Sequence, residues 1–111
     1  MHSTELIKGN LKTIVLKLLS TEGKMYGYEI TQRVKLLSGD KILITEGALY
    51  PTLHALEAEG ALTTETEYIG KRIRKYYKIT ETGKGIMKER VSEFSEFVNT
   101  MMMLLDVKPA I

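Results

Sequence analysis

TEGALYPTLHALEAEGAL, residues 45–62, is the stretch around which the other segments of this chain arrange themselves. Thr45 opens it with a hydroxyl that can accept from a first-turn amide, and Gly60 stands where helices commonly end. Leu49, Leu53 and Leu56 recur at helical spacing and form a single apolar stripe. That stripe needs a core. The opposite face, Thr45, Ala48 and Thr52 with Tyr50 and His54 beside it, is left to meet something else. Pro51 deletes a backbone donor and crowds the carbonyl four residues back. The residue there is Gly47, which adds no side chain to the crowding. The stretch therefore predicts one helix, kinked at most, with a small-residue N-terminus suited to close approach.

Upstream, Leu11, Ile14, Val15, Leu18 and Leu19 make the stripe of an amphipathic helix across residues 4–19. STEGK, residues 20–24, has the composition of a turn. A second helix is expected over residues 25–37, with Tyr26, Ile30, Val34 and Leu37 on one side and Gly27 in its first turn. A small residue there lets another helix, or a phosphate, come close. Residues 42–44, Ile-Leu-Ile, are long enough for a single bridge of strand at most.

Downstream, residues 62–69 and 73–79 are rich in Thr, Tyr and Ile and flank Gly70-Lys71, the pattern of a β-hairpin. Alternation puts Ile73, Lys75, Tyr77 and Ile79 on one face of the second strand, and Arg72, Arg74, Tyr76 and Lys78 on the other. The face ending in Tyr77 and Ile79 is the one to bury, with Lys75 beyond the core edge. Thr80 then caps a last helix reaching about Leu105, before Pro109 forbids more. Along it Met87, Val91, Phe94, Val98, Met101 and Leu105 are spaced 4, 3, 4, 3, 4, a heptad seam. Phe97, Met102 and Leu104 widen it. A helix that overhangs its own domain buries such a seam against a second copy.

Composition narrows the function. A chain of 111 residues is one domain with an appendage, here residues 1–80 and 81–111. It has no cysteine, which fits a reducing cytoplasm and excludes disulfides and thiolate metal sites. No apolar run is long enough to span a bilayer, so no membrane partner is expected. The two histidines, His2 and His54, have no cysteine to join them, so no metal or other cofactor is expected. No nucleophile elbow or phosphate loop is present, which makes an enzyme the least favoured class. Net charge is only +2, yet Lys71, Arg72, Arg74, Lys75 and Lys78 fall within eight residues that hold no acid. On a hairpin that follows two short helices, such clustering points to double-stranded DNA.

The expected fold is mainly α with a small β-hairpin: a winged helix-turn-helix plus a long C-terminal dimerisation helix. Three motifs carry a family resemblance. KMYGYEI (24–30), EGALYPTLHALEAEGAL (46–62) and RKYYKITETG (74–83) resemble the PadR family of bacterial transcriptional regulators, in its compact subgroup with one C-terminal helix. The resemblance covers roughly residues 11–85. It implies a homodimeric repressor of a near-palindromic operator that answers to small aromatic or xenobiotic compounds. Carried over position by position, it implies helix-three contacts to DNA at Thr45, Gly47, Ala48, Tyr50 and Thr52. It implies wing contacts at Lys71, Arg72, Arg74 and Lys75, and one from the second helix near Tyr26.

The chain departs from the pattern where family members usually carry Lys and Arg, at His54 and Ala55. Glu46, Glu57 and Glu59 make helix three acidic, which shifts phosphate contact toward the wing and the early lysines, Lys8, Lys12 and Lys17. Phe94 stands where the compact members often have Trp. A planar apolar effector between protomers would meet Phe94, Phe97, Val98 and Met101, aromatic faces among adaptable thioethers. Two rival functions follow from the same residues. One is a winged-helix protein-interaction module without DNA binding, which the acidic third helix makes thinkable. The other is a ligand carrier that uses the dimer interface alone.

Overall fold

Ser3 accepts from the Leu6 amide at 3.3 Å and opens the first helix, α1 (Thr4–Glu22). The computed structural model of the chain describes residues 2–108. Pro109, expected to bar further helix, lies outside them. α1 runs three residues past the expected boundary: residues 20–22 are helix, and the break comes at Gly23, whose φ is +86°. Nothing before that glycine breaks a helix, and the Thr21 hydroxyl donates back to the Lys17 carbonyl at 3.0 Å. Leu11, Val15, Leu16, Leu18 and Leu19 are buried, so α1 is the central rod of the core.

The next residues correct a second expectation. Met25 and Tyr26 are strand β1 (Met25–Tyr26), not the start of a helix, and α2 (Gly27–Leu37) follows. β1 is made by its partner, since Met25 pairs with Tyr77 and Tyr26 with Tyr76. Two residues show no periodicity of their own, which is why the pairing leaves no mark in the sequence. Ile30 and Val34 are buried, whereas Leu37, expected on the same side, is exposed at the final position of α2. Residues 42–44 form no strand; Ile44 is inserted in the core as irregular chain.

α3 (Glu46–Ala58) is continuous across Pro51, capped by Thr45 Oγ1, which accepts from the Ala48 amide at 3.2 Å. Leu49, Leu53 and Leu56 have no exposed surface at all. Gly60, at φ +78°, turns the chain into β2 (Leu62–Ile69) and β3 (Arg72–Ile79), joined by Gly70-Lys71. The three strands form one antiparallel sheet in the order β1-β3-β2. As alternation requires, Tyr77 and Ile79 are buried while Lys75 and Ile73 lie beyond the core on the same face.

The last helix, α4 (Glu81–Leu104), is capped by Thr80, whose Oγ1 accepts from the Gly83 amide at 3.0 Å and donates to the Gly60 carbonyl at 2.7 Å. Gly83 rests on the Ala61 carbonyl so closely that a Cβ would collide with it. This contact seats the start of α4 on the turn after α3. Met87 is 6% exposed and belongs to the core of its own chain. That corrects its expected place at a dimer interface: it sits just after the Gly83 contact, where the helix is still pressed onto the domain. Beyond it α4 follows α1, tied by Arg90 Nε donating to Thr13 Oγ1 at 3.0 Å, and then overhangs. The molecule is 56 Å long and 29 by 23 Å across.

Candidate nucleic-acid interface

α3 presents two different surfaces, one on each side of its buried stripe. On the first, Tyr50 lies across Gly27 at the start of α2. A Cβ on Gly27 would run into the Tyr50 hydroxyl, so the close approach that a small residue permits is made by this tyrosine. Tyr26, Gly27 and Tyr50 share an open depression of about 470 Å³ with Arg72, Arg74 and Lys75 of β3. Five of the residues expected to meet DNA are thus brought together by the packing of three separate elements. Lys71 stands apart at the hairpin tip, exposed.

On the second surface, Thr45, Gly47, Ala48 and Thr52 line a depression of about 520 Å³ whose other wall is α1, with Thr4, Ile7, Lys8 and Leu11. Both threonine hydroxyls have local work. Thr45 caps the helix, and Thr52 Oγ1 donates to the Ala48 carbonyl at 3.1 Å. What α3 offers freely here is close backbone approach at Gly47 and the methyl of Ala48. Lys8, one of the early lysines onto which an acidic helix three shifts phosphate contact, lines this depression. Lys12 on the same helix pairs with Glu59, which masks one of the acids of α3.

The solvent face of the sheet holds a further set. The Arg74 guanidinium lies 4.1 Å from the centre of the Tyr26 ring, and Tyr26 meets Tyr76 edge-on at 5.6 Å. The Lys24 ammonium stands 5.2 Å from the Tyr76 ring and 2.9 Å from carboxylate oxygens of both Glu65 and Glu67. Glu67 and Glu65 oppose Arg74 and Tyr76 across β2 and β3. The hydrogen bonds from Lys24 hold the Glu65 carboxyl below its ordinary range, and the two carboxylates raise the Lys24 ammonium. Arg74 is raised too, chiefly by the Tyr76 hydroxyl beside it. Lys24 and Tyr76 were not singled out from sequence. The alternation of Glu65 and Glu67 opposite Arg74 and Tyr76 was the available signal, but Lys24 joins only through β1.

Along α4, Phe94, Phe97, Val98 and Met101, with Leu105 at its C-cap, share a groove of about 500 Å³ with Leu6, Ile7 and Ile14 of α1. Phe94 is 44% and Phe97 58% exposed. All four residues expected to meet an effector line this one groove, and Val91 lies outside it. Among the described residues no cluster of His, Asp or Glu is fit to hold a metal, and no helix is long and apolar enough to cross a membrane.

Comparison with known proteins agrees with this geometry. Transcriptional regulator Rv3488 of Mycobacterium tuberculosis is 34% identical over 70 residues, 63% of either chain. A transcriptional regulator from Clostridium thermocellum superposes with a TM-score of 0.83 at 30% identity, covering 91% of this chain and 95% of that one. Bacillus subtilis PadR, solved in complex with operator DNA, gives 0.66 at 32% identity; 73% of this chain covers 46% of that longer protein. The family model described as the transcriptional regulator PadR-like family matches residues 15–89, from the middle of α1 through the wing to the seat of α4. That span holds the helix-turn-helix and the whole sheet, and the chain belongs to the PadR-like family of transcriptional regulators.

Proposed function

We propose that this regulator is a cytoplasmic homodimeric repressor in which residues 1–80 bind a near-palindromic operator and residues 81–111 pair the protomers. The N-terminal half of α3 enters a major groove through Thr45, Gly47, Ala48, Tyr50 and Thr52. Gly47 lets the backbone come close, and the Ala48 methyl suits the methyl of a thymine. Tyr26 and the wing, with Lys71, Arg72, Arg74 and Lys75, meet the flanking sugar–phosphate backbone. The observation that carries this proposal is the depression where Tyr26, Tyr50, Arg72 and Lys75 converge, cationic beside an α3 that has no cation of its own. The bacillary PadR caught on its operator supports it as a relative of the same fold. A planar apolar effector in the α1–α4 groove releases the DNA.

Fluorescence anisotropy on the native promoter, followed across salt concentration, tests the proposal. Each phosphate neutralised steepens the fall of log K against log salt by about 0.9, so Lys71→Ala with Arg72→Ala should flatten the slope by roughly 2 per wing. Protected half-sites should lie about one helical turn, roughly 34–36 Å, apart. Absence of salt-dependent binding to any promoter fragment would leave the protein-interaction module, made thinkable by the acidic α3, as the function.

A further inference from the structure

We infer that Arg74 is a positioning residue, which locks the wing to the start of α2 by stacking on Tyr26 and leaves the phosphates to its neighbours. The inference rests on the DNA reading above and assigns a different task to one of its cations.

The four wing cations differ in their surroundings. Lys71, Arg72 and Lys75 are exposed, whereas Arg74 is half-buried with its guanidinium 4.1 Å from the Tyr26 ring centre. A guanidinium is planar and weakly hydrated, so it lies on an aromatic face at little cost and fits there better than an ammonium. Tyr26 is not an ordinary surface tyrosine. It is the last residue of β1 and the N-cap of α2, and the Glu29 carboxylate accepts from its amide at 3.2 Å. Its ring is fixed from the other side by the edge-on contact with Tyr76. Tyr76 in turn lies next to Lys24, which Glu65 and Glu67 hold.

The result is a continuous row, Arg74, Tyr26, Tyr76, Lys24 and the two glutamates, crossing all three strands. β1 contributes only two residues to the sheet, and a pairing that short is weak without side-chain support. The row supplies the support where it matters. It sets the angle between the wing, which carries Lys71 and Arg72, and α2, whose first turn supports Tyr50 of α3. A wing free to swing would have to be ordered each time DNA binds, and that ordering weakens affinity without changing how many phosphates are met.

Four variants separate positioning from direct contact: Arg74→Gln, Tyr26→Leu, their double, and Tyr26→Phe, which keeps the aromatic face. Anisotropy across salt concentration with the native promoter should show Arg74→Gln and Tyr26→Leu each weakening binding roughly tenfold, the order a stacked pair in each protomer allows, with an unchanged salt slope. The double variant should be no worse than either single one, because both break the same link. Tyr26→Phe, which keeps the aromatic face under Arg74, should bind clearly more tightly than Tyr26→Leu. A slope flattened by about 0.9 per protomer in Arg74→Gln would overturn the assignment and make Arg74 a phosphate contact. Additive losses, or a Tyr26→Phe variant as poor as Tyr26→Leu, would overturn it as well.

The stacking itself is read without DNA. In nuclear magnetic resonance spectra of the free protein the Arg74 side-chain protons should be shifted upfield by the Tyr26 ring, kept so in Tyr26→Phe and released in Tyr26→Leu. Absence of that shift in wild type overturns the link. Its presence in a protein that binds no promoter fragment keeps the link and sinks the DNA reading.

Discussion

The N-terminal domain and the outer half of α4 are written in the same alphabet, Leu, Val, Met and Phe at spacings of three and four, and the fold treats them oppositely. Leu49, Leu53 and Leu56 of α3 are sealed, while Phe94, Phe97 and Leu105 of α4 stand in the open. The difference is one of neighbours. α3 is covered by α1, α2 and β2, whereas α4 past Met87 lies along α1 on one flank. A monomeric protein seldom leaves an apolar band of that length uncovered. In the proposed dimer, two kinds of burial, within the chain and between chains, would share one sequence pattern.

The sharpest way to break this comparison is to charge the seam. Val98→Asp with Met101→Asp should abolish self-association, since burying each such side chain is worth roughly 1.5–3 kcal/mol and four are lost per dimer. Light scattering at micromolar concentration should then find monomers whose circular dichroism still shows the helices. Wholesale unfolding would mean that the outer half of α4 belongs to the folding core after all. A wild type that is already monomeric would remove the dimer itself.

Leu56→Ala probes the other region. It removes a fully buried side chain, so chemical denaturation should report a loss of about 2–5 kcal/mol. Phe97→Ala, larger in volume but exposed, should cost the monomeric seam variant less than about 1 kcal/mol, the ordinary size of a surface change. Equal costs would erase the distinction drawn between the two regions.

The groove beside the seam offers a finer test. A planar cationic dye should bind the wild type more tightly than about 100 μM, roughly 5.5 kcal/mol, and Phe94→Ala should weaken it. If the dye leaves operator affinity unchanged, the groove binds and regulates nothing, because a ligand shifts an equilibrium only by its differential affinity for the two states.

The smallest effect lies at the edge of the sealed region. Lys24 holds the Glu65 carboxyl below its ordinary 4.5, so the pairing stabilises the fold fully above that value and is lost as pH falls through the lowered one. The melting temperature of Lys24→Met should therefore trail wild type at pH 7 and meet it well below pH 4.5. A gap that persists in acid would assign the effect to the contact of Lys24 with the Tyr76 ring instead.

Most elements were legible because their reasons are local. Thr45 and Thr80 cap, Gly60 and Gly70 turn, and the stripe of α3 and the alternation of β3 state which side faces inward. The boundary of α1 was misjudged because Ser, Thr and Glu read as a turn until the chain reaches a true breaker at Gly23. Met87 was assigned to the seam because a heptad count cannot see the Gly83 contact that presses the helix onto its own domain. The candidate interface was legible as residue types, tyrosines and a basic run, but not as an arrangement.

By itself, then, the sequence determined what depends on neighbours along the chain: four helices, a hairpin with a cationic tip, a small-residue start to α3, and a family pattern from residue 15 to 89. Only the tertiary structure decided what depends on neighbours across it. β1 exists because Tyr76 and Tyr77 are there to pair with it, Tyr50 rests where Gly27 leaves room, and Arg74 lies over the Tyr26 ring. Each of these is a contact between segments more than twenty residues apart. Periodicity carries no information about such partners, because it records only which way a side chain points and never what it will find there.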